Sequence, residues 1–233
     1  MKKVIMAAVL IVAMSGTSIL AQSHMIPSAA ALDQKAIITG GMQLGYFGGP
    51  DLLFSATAAN FAEGFPFRVR LGLGYAWVPS GDALAARRIF INNATNGTPK
   101  SWGTLWDGRL DVLYPVSLFS LKRSMIYGGL RRSSFVARFE YIGGNETFNV
   151  NTKQWGVGGG LQTAFALSPR VDMVFQGGAD YYFRSQLSGH DTYYNPNGDD
   201  VHPIADYTYK DADAAIDQPD FETRLTLGVA YRF

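Results

Sequence analysis

The sequence predicts an all-β chain in which eight antiparallel strands close into a transmembrane β-barrel. Three observations carry this. Long stretches alternate strictly between apolar and polar residues, glycine and arginine crowd the polar side, and aromatic rings gather at the strand ends. The stretch Phe221 to Phe233 shows the first of these. Phe221, Thr223, Leu225, Leu227, Val229, Tyr231 and Phe233 fall on one side, and Glu222, Arg224, Thr226, Gly228, Ala230 and Arg232 on the other. A period of two is resolved into two faces by a strand.

Composition agrees. Glycine (26 residues), tyrosine (12) and phenylalanine (15) are abundant while only 17% of residues are charged, a mixture that suits strands better than helices. A net charge of +1 without a basic run gives no reason to expect a nucleic-acid partner. Cysteine is absent, so neither a disulfide framework nor a lipid-modified cysteine is expected. At the N-terminus, Lys2 and Lys3 precede an apolar run from Val4 to Met14, followed by "SGTS" and "ILAQ". That is the layout of an export signal cut after Ala21, with "SAAA" at 28–31 as a second cut site. The run is shorter than the ~20 residues of a spanning helix. The expected organisation is a signal peptide over 1–21, a short segment over 22–35 and a barrel over 36–233.

Alternation places the strands at about 36–48, 51–62, 66–78, 104–120, 124–142, 153–167, 170–184 and 220–233. Their length exceeds the five or six residues usual in soluble sheets. Short connections at 63–66, 121–124 and 168–170 fall at one end. The turn "GGPD" and the longer loops at 79–103, 143–152 and 185–219 fall at the other. Both termini share the short-turn end. The segment 51–62 has the propensity of a short helix; it is assigned as a strand because the turn ends agree only with an even strand count. In 124–142, Arg131 and Arg132 interrupt the alternation, so a bulge or an extension beyond the membrane is expected there.

The polar faces decide which side points inward. A water-facing sheet carries Lys, Thr, Ser and Glu at most positions, whereas these faces carry glycine with sparse Arg, Asp, Glu and Gln. Glycine beside arginine suits the narrow interior of an eight-stranded barrel. The expected lumen charges are Arg68, Arg70, Asp107, Arg109, Asp111, Arg138, Glu140, Asp172, Asp180, Glu222, Arg224 and Arg232. The rings form two belts. Tyr46, Trp77, Trp106, Trp155 and Tyr181, with Tyr141, Phe183 and Phe221, lie toward the long loops; Phe119, Phe165, Tyr231 and Phe233 lie toward the short turns. Belts about 25 Å apart flank the apolar band of a transmembrane barrel.

On this pattern the chain resembles the small outer-membrane β-barrels of double-membraned bacteria, the eight-stranded OmpA-type and OmpW-type class. The most specific element is the last strand, since such proteins end in an aromatic residue preceded by alternating apolar ones. Leu225, Leu227, Val229, Tyr231 and Phe233 fit, which implies a signal read by the barrel-assembly machinery. The resemblance further implies periplasmic termini, export to the bacterial outer membrane and a monomer among outer-membrane lipid and lipopolysaccharide. No cofactor and no metal are expected, and because no cell-wall-binding domain is expected after the barrel, the cell-wall tether of the larger relatives is not implied.

Three functions follow for such a chain. The lumen charges read as a salt-bridge network that fills the interior, giving a structural or surface protein, since charges out of water need partners. Alternatively they line a narrow path for small solutes. A lipid A-modifying enzyme is the third reading, but the histidines His24, His190 and His202 lie off the strands, and "SGHD" around His190, with Ser188 and Asp191, has the composition of an ordinary loop. The acidic loop 185–219 also has the oxygen ligands to bridge lipopolysaccharide through divalent cations.

Overall fold

The computed structural model describes residues 36–62, 64–92, 96–118, 121–144 and 146–233. The expected export signal with its cut sites, the segment 22–35, His24 and Phe119 lie outside the described residues. Every alternating segment forms a strand: β1 (Ile37–Phe47), β2 (Pro50–Ala59), β3 (Arg68–Val78), β4 (Thr98–Leu118), β5 (Leu121–Ile142), β6 (Thr147–Ala166), β7 (Val171–Tyr182) and β10 (Phe221–Arg232). These eight are hydrogen-bonded in the order β5-β4-β3-β2-β1-β10-β7-β6, and β6 pairs back onto β5, so the antiparallel sheet closes. The helix-prone β2 is a strand because it is held on both edges, by β1 and by β3. The last strand lies against the first, with Leu227 opposite Leu44. Closure leaves no ring strand with a free edge within the apolar band, the condition for crossing lipid.

The alternation is turned inside out. Leu44, Leu71, Trp77, Trp106, Leu225 and Leu227 are between 50 and 61% exposed on the outer surface. Their strand neighbours Arg70, Asp107, Arg224 and Thr226 are buried.

Strands β4, β5 and β6 are 21, 22 and 20 residues long, about twice the 9–11 residues that a tilted strand needs to cross a membrane. They begin or end earlier than alternation suggested, and the expected loop at 143–152 is a tight turn between Ile142 and Thr147. No bulge occurs at Arg131. The β4–β5 ladder runs unbroken from Thr98↔Ile142 to Val116↔Ser124 and shifts register only between Val116 and Leu118. What changes along β5 is the side on which the apolar residues lie. Ile126 and Leu130 face out, whereas Phe135, Ala137, Phe139 and Tyr141 are buried within. Once the strands leave the apolar band, the sheet has the ordinary polarity of a protein in water.

This correction moves three residues. Arg138 and Glu140, expected in the lumen, share a face with Arg132 and Ser134 on the outside of the extended sheet. Tyr141, expected in an aromatic belt, is buried on the inner side, where its hydroxyl donates to the Ala83 carbonyl at 2.5 Å.

The inner faces of these extensions are covered by elements the alternation did not disclose. Helix α1 (Ala83–Phe90) lies in the β3–β4 connection; the β7–β10 connection holds a hairpin, β8 (Leu187–Gly189) and β9 (Thr192–Tyr194), and helix α2 (Tyr209–Ile216). The Asp82 carboxylate starts α1 by accepting the Leu84 and Ala85 N–H groups at 2.9 and 3.2 Å. Gly81 precedes it at φ +84°, against the Ala215 carbonyl of α2, a conformation and an approach that exclude a β-carbon. β8 adds to the edge of β6 above the point where β7 ends, with Gly189 opposite Val150.

Candidate functional site

The candidate site of the described chain is its lumen, which has three levels. The middle level is ionic. Arg70, Arg109, Arg131 and Arg224 face Asp51, Asp107, Asp111 and Asp180, four guanidinium groups against four carboxylates, and none of the eight is more than 4% exposed. Asp111 accepts from Arg70 at 2.8 Å and from Arg131 at 2.7 Å. Asp180 accepts from Arg131 at 2.6 Å and from Arg109 at 3.0 Å. Asp107 receives Arg224 at 2.8 Å and the Tyr182 hydroxyl at 2.8 Å, and Asp51 pairs with Arg224 at 3.3 Å. The Arg70 guanidinium also donates to Gln162 and Gln176 at 2.6 and 2.8 Å and lies over the Tyr127 ring. These bonds cross from one wall of the barrel to the other.

Glycine makes the room. A β-carbon on Gly160 would lie 2.6 Å from the Tyr127 hydroxyl, so the smooth inner surface of β6 is what lets a tyrosine and an arginine share this cross-section. The arrangement is one of matched charge. Burying eight ions is costly, and the cost is offset only where each ion is paired and hydrogen-bonded; Asp51 is the exception, since it is ion-paired to Arg224 but neither of its buried oxygens accepts a hydrogen bond.

Above this level the lumen is apolar. Phe47, Leu105, Phe135, Phe139, Phe148 and Tyr182 enclose it together with the buried faces of α1 and α2. The Arg224 guanidinium lies 3.8 Å from the centre of the Phe47 ring, which joins the two levels. Arg87 of α1 is tied to Glu146 at 2.5 Å and lies over the Tyr141 ring.

Below the ionic level, toward the short turns, the lumen opens into a cavity of about 190 Å³ lined in part by Thr39, Gln43, Ser55 and Arg68 and ending at Arg70. An adjoining space of about 220 Å³ reaches Arg123. Here Asp172 is shared by Arg123 and Arg232, at 2.6 and 3.0 Å.

Of the residues expected in the lumen, Arg70, Asp107, Arg109, Asp111, Asp180 and Arg224 thus meet in one network. Arg68, Asp172 and Arg232 stand at the turn-end mouth, and Glu222 is half-buried near the loop end. Two members of the network, Asp51 and Arg131, were missed. Asp51 sits beside the first turn, and Arg131 with Arg132 interrupts the apolar–polar alternation, although period two counted through both puts Arg131 inside. Tyr46, Trp77, Trp106, Trp155 and Tyr181 all face outward, as do Leu225, Leu227, Val229, Tyr231 and Phe233. Contacting rings extend the belts, Tyr75 with Trp77 and Trp106 at one end and Phe65 with Phe61 and Phe67 at the other.

The loop candidates are engaged in local structure. His190 stands at the tip of the β8–β9 hairpin with φ +52° and its ring exposed. Asp200 accepts from the Asn195 N–H at 2.7 Å, Asp211 accepts from Thr208 at the start of α2, and Asp213 accepts from Gln218 at 2.5 Å. Burial, with Asp213 alongside, pushes the Tyr209 phenol up to about 12.

No family model matches the chain, and no curated protein matches its sequence. Among solved structures, a major outer membrane protein from Thermus thermophilus superposes with a TM-score of 0.68 at 27% identity, over 85% of this chain and 100% of that one. Neisserial surface protein A (12% identity, TM-score 0.35, 85% of this chain and 96% of the other) and Ail, the attachment invasion locus protein of Yersinia pestis (14%, 0.42, 85% and 97%), align more loosely.

Proposed function

We infer, for a chain that has the fold of the small eight-stranded outer-membrane barrels, a non-catalytic envelope role. A barrel with a closed lumen holds a rigid platform of strand extensions, helices and hairpin at the cell surface. The observation that carries this reading is the two-level filling of the lumen, a neutral ionic layer capped by an apolar core. In this reading the short turns and termini are periplasmic, the export signal is removed, and the long-loop end faces outward. The chain is a monomer surrounded by outer-membrane lipid and lipopolysaccharide, and its outward-facing last strand serves the barrel-assembly machinery.

Conductance across a planar bilayer tests the closed lumen. The folded protein is expected to give no reproducible openings, and openings of constant size would overturn the reading. A specific observation favours the second reading, a narrow solute path, because the turn-end half of the lumen is hollow. In that case deleting the α1 and α2 loops alone would give steady currents, whereas the closed-lumen reading keeps the ionic layer shut without them.

A further inference from the structure

The outer surface of β5 and β6 at the level of the loop-end aromatic belt has a composition that the lumen does not explain. Arg132 points outward, toward lipid, and its guanidinium lies 5.0 Å from the centre of the Trp155 ring. Register places Arg132 directly across from Trp155 on one side and Gly108 on the other, so a second tryptophan, Trp106, is its diagonal neighbour. Lys153 stands across from Ser134, one row higher. No aspartate or glutamate shares this part of the outer face, which reads Trp106, Gly108 and Leu110 on β4, Leu130 to Val136 on β5 and Asn151 to Val157 on β6. Neither Arg132 nor Lys153 has an ion-pair partner among the described residues.

Directly above, an open groove of about 510 Å³ runs between this sheet face and the start of the last loop. Ser134, Asn151, Lys153, Ser185, Gln186 and Ser188 line it. The Ser185 hydroxyl donates to the Lys153 carbonyl at 2.7 Å, which fixes the loop segment as the groove's far wall. The lining is hydroxyl, amide and ammonium with no apolar side chain.

We propose that this surface is a binding site for a phosphate-bearing, hydroxylated lipid headgroup, with Arg132 and Lys153 taking the phosphate and the serine- and amide-lined groove taking the hydroxyls. The site rests on the reading of the belt as the outer membrane interface. Three pieces of chemistry converge there. Cations without carboxylates call for an anion, and a guanidinium is built for phosphate. An arginine held on a tryptophan at the belt sits at headgroup depth, where its alkyl stem remains in the apolar band. A hydroxyl- and amide-lined groove offers hydrogen bonds to sugar-like hydroxyls and nothing to acyl chains.

The test uses the full folded chain in nanodiscs of phosphatidylcholine doped with a bis-phosphorylated, acylated glucosamine disaccharide, released for native mass spectrometry. The wild-type barrel is expected to retain one copy of the doped lipid. Arg132→Gln combined with Lys153→Gln should lower retention about tenfold or more, and enzymatic removal of the lipid's phosphates should lower retention by wild type similarly. Arg138→Gln removes one charge from the same sheet face about 20 Å further along the strand and should leave retention unchanged. Undiminished retention by the double variant would overturn the site, as would an equal loss in Arg138→Gln. Equally tight, Arg132-dependent binding of soluble glucosamine phosphate would show a free-phosphosugar site and refute the lipid assignment. A chain that fails to insert, seen by the absence of a heat-dependent gel shift, would instead sink the membrane reading and the site with it.

Discussion

The two halves of this molecule solve opposite problems with the same strands. In the apolar band, β5 turns Ile126 and Leu130 outward and Arg131 inward. A few residues later the same unbroken strand turns Phe135 and Phe139 inward and Arg138 outward. The backbone ladder does not register the change. Side-chain polarity follows the solvent: hydrocarbon rewards apolar residues outside and forces the interior to pair its own ions, while water reverses the assignment. The lower half is therefore held by directional charge pairs, the upper half by the packing of helices α1 and α2 against phenylalanines.

Substitutions should separate the two modes. The largest effect is expected from Asp111→Ala, which leaves Arg70 and Arg131 short of a shared carboxylate; breaking a buried pair costs about 3–5 kcal/mol. Urea unfolding from lipid vesicles should show the loss across the whole barrel, and an unchanged midpoint would mean that the ionic layer contributes nothing to closure. Phe135→Ala, also about 3–5 kcal/mol by cavity formation, should act locally: the loops become protease-sensitive while the heat-dependent gel shift of the barrel persists. Loss of that shift would make the two halves one cooperative unit. Leu227→Arg places a cation on the lipid face and should cost about 2–4 kcal/mol if this position lies near the midplane. Full stability in that variant would contradict a hydrocarbon surround.

A smaller and purely local effect is expected at alkaline pH. The Tyr209 phenol is raised from 10.0 to about 12, so its neutral form is the one the fold prefers. Its contribution to docking α2 is complete below pH 10 and is lost as pH rises toward 12. Amide exchange should accelerate in α2 and the hairpin over that window while β1 and β10 stay protected; equal acceleration in the barrel strands would refute a local origin. Smallest of all is Arg138→Leu, expected within about 0.5 kcal/mol of wild type because the side chain is outside and wet. A loss of several kcal/mol would return Arg138 to the interior.

The same division explains what could be read without coordinates. Within the apolar band, alternation located all eight strands and most of the ionic layer, since lipid on one side and a narrow lumen on the other leave each residue a single choice of face; it misplaced the connection expected at 121–124, which lies within β5. Arg138, Glu140 and Tyr141 were misplaced because the rule "apolar faces lipid" was carried along β5 past the point where lipid ends. Asp51 escaped notice beside a turn. The helices α1 and α2 are eight residues each, too short for a helical period to stand out from loop composition.

Strand number, inside-out polarity and the outward aromatic belts were therefore determined by the amino-acid order, because period two and a hydrocarbon surround are local constraints that each residue meets alone. Which arginine meets which aspartate was decided by the closed ring, as was where β5 exchanges one polarity for the other. Such contacts join residues far apart in the chain, as Arg224 to Asp107, 117 positions away, and only closure of the sheet brings their walls within reach.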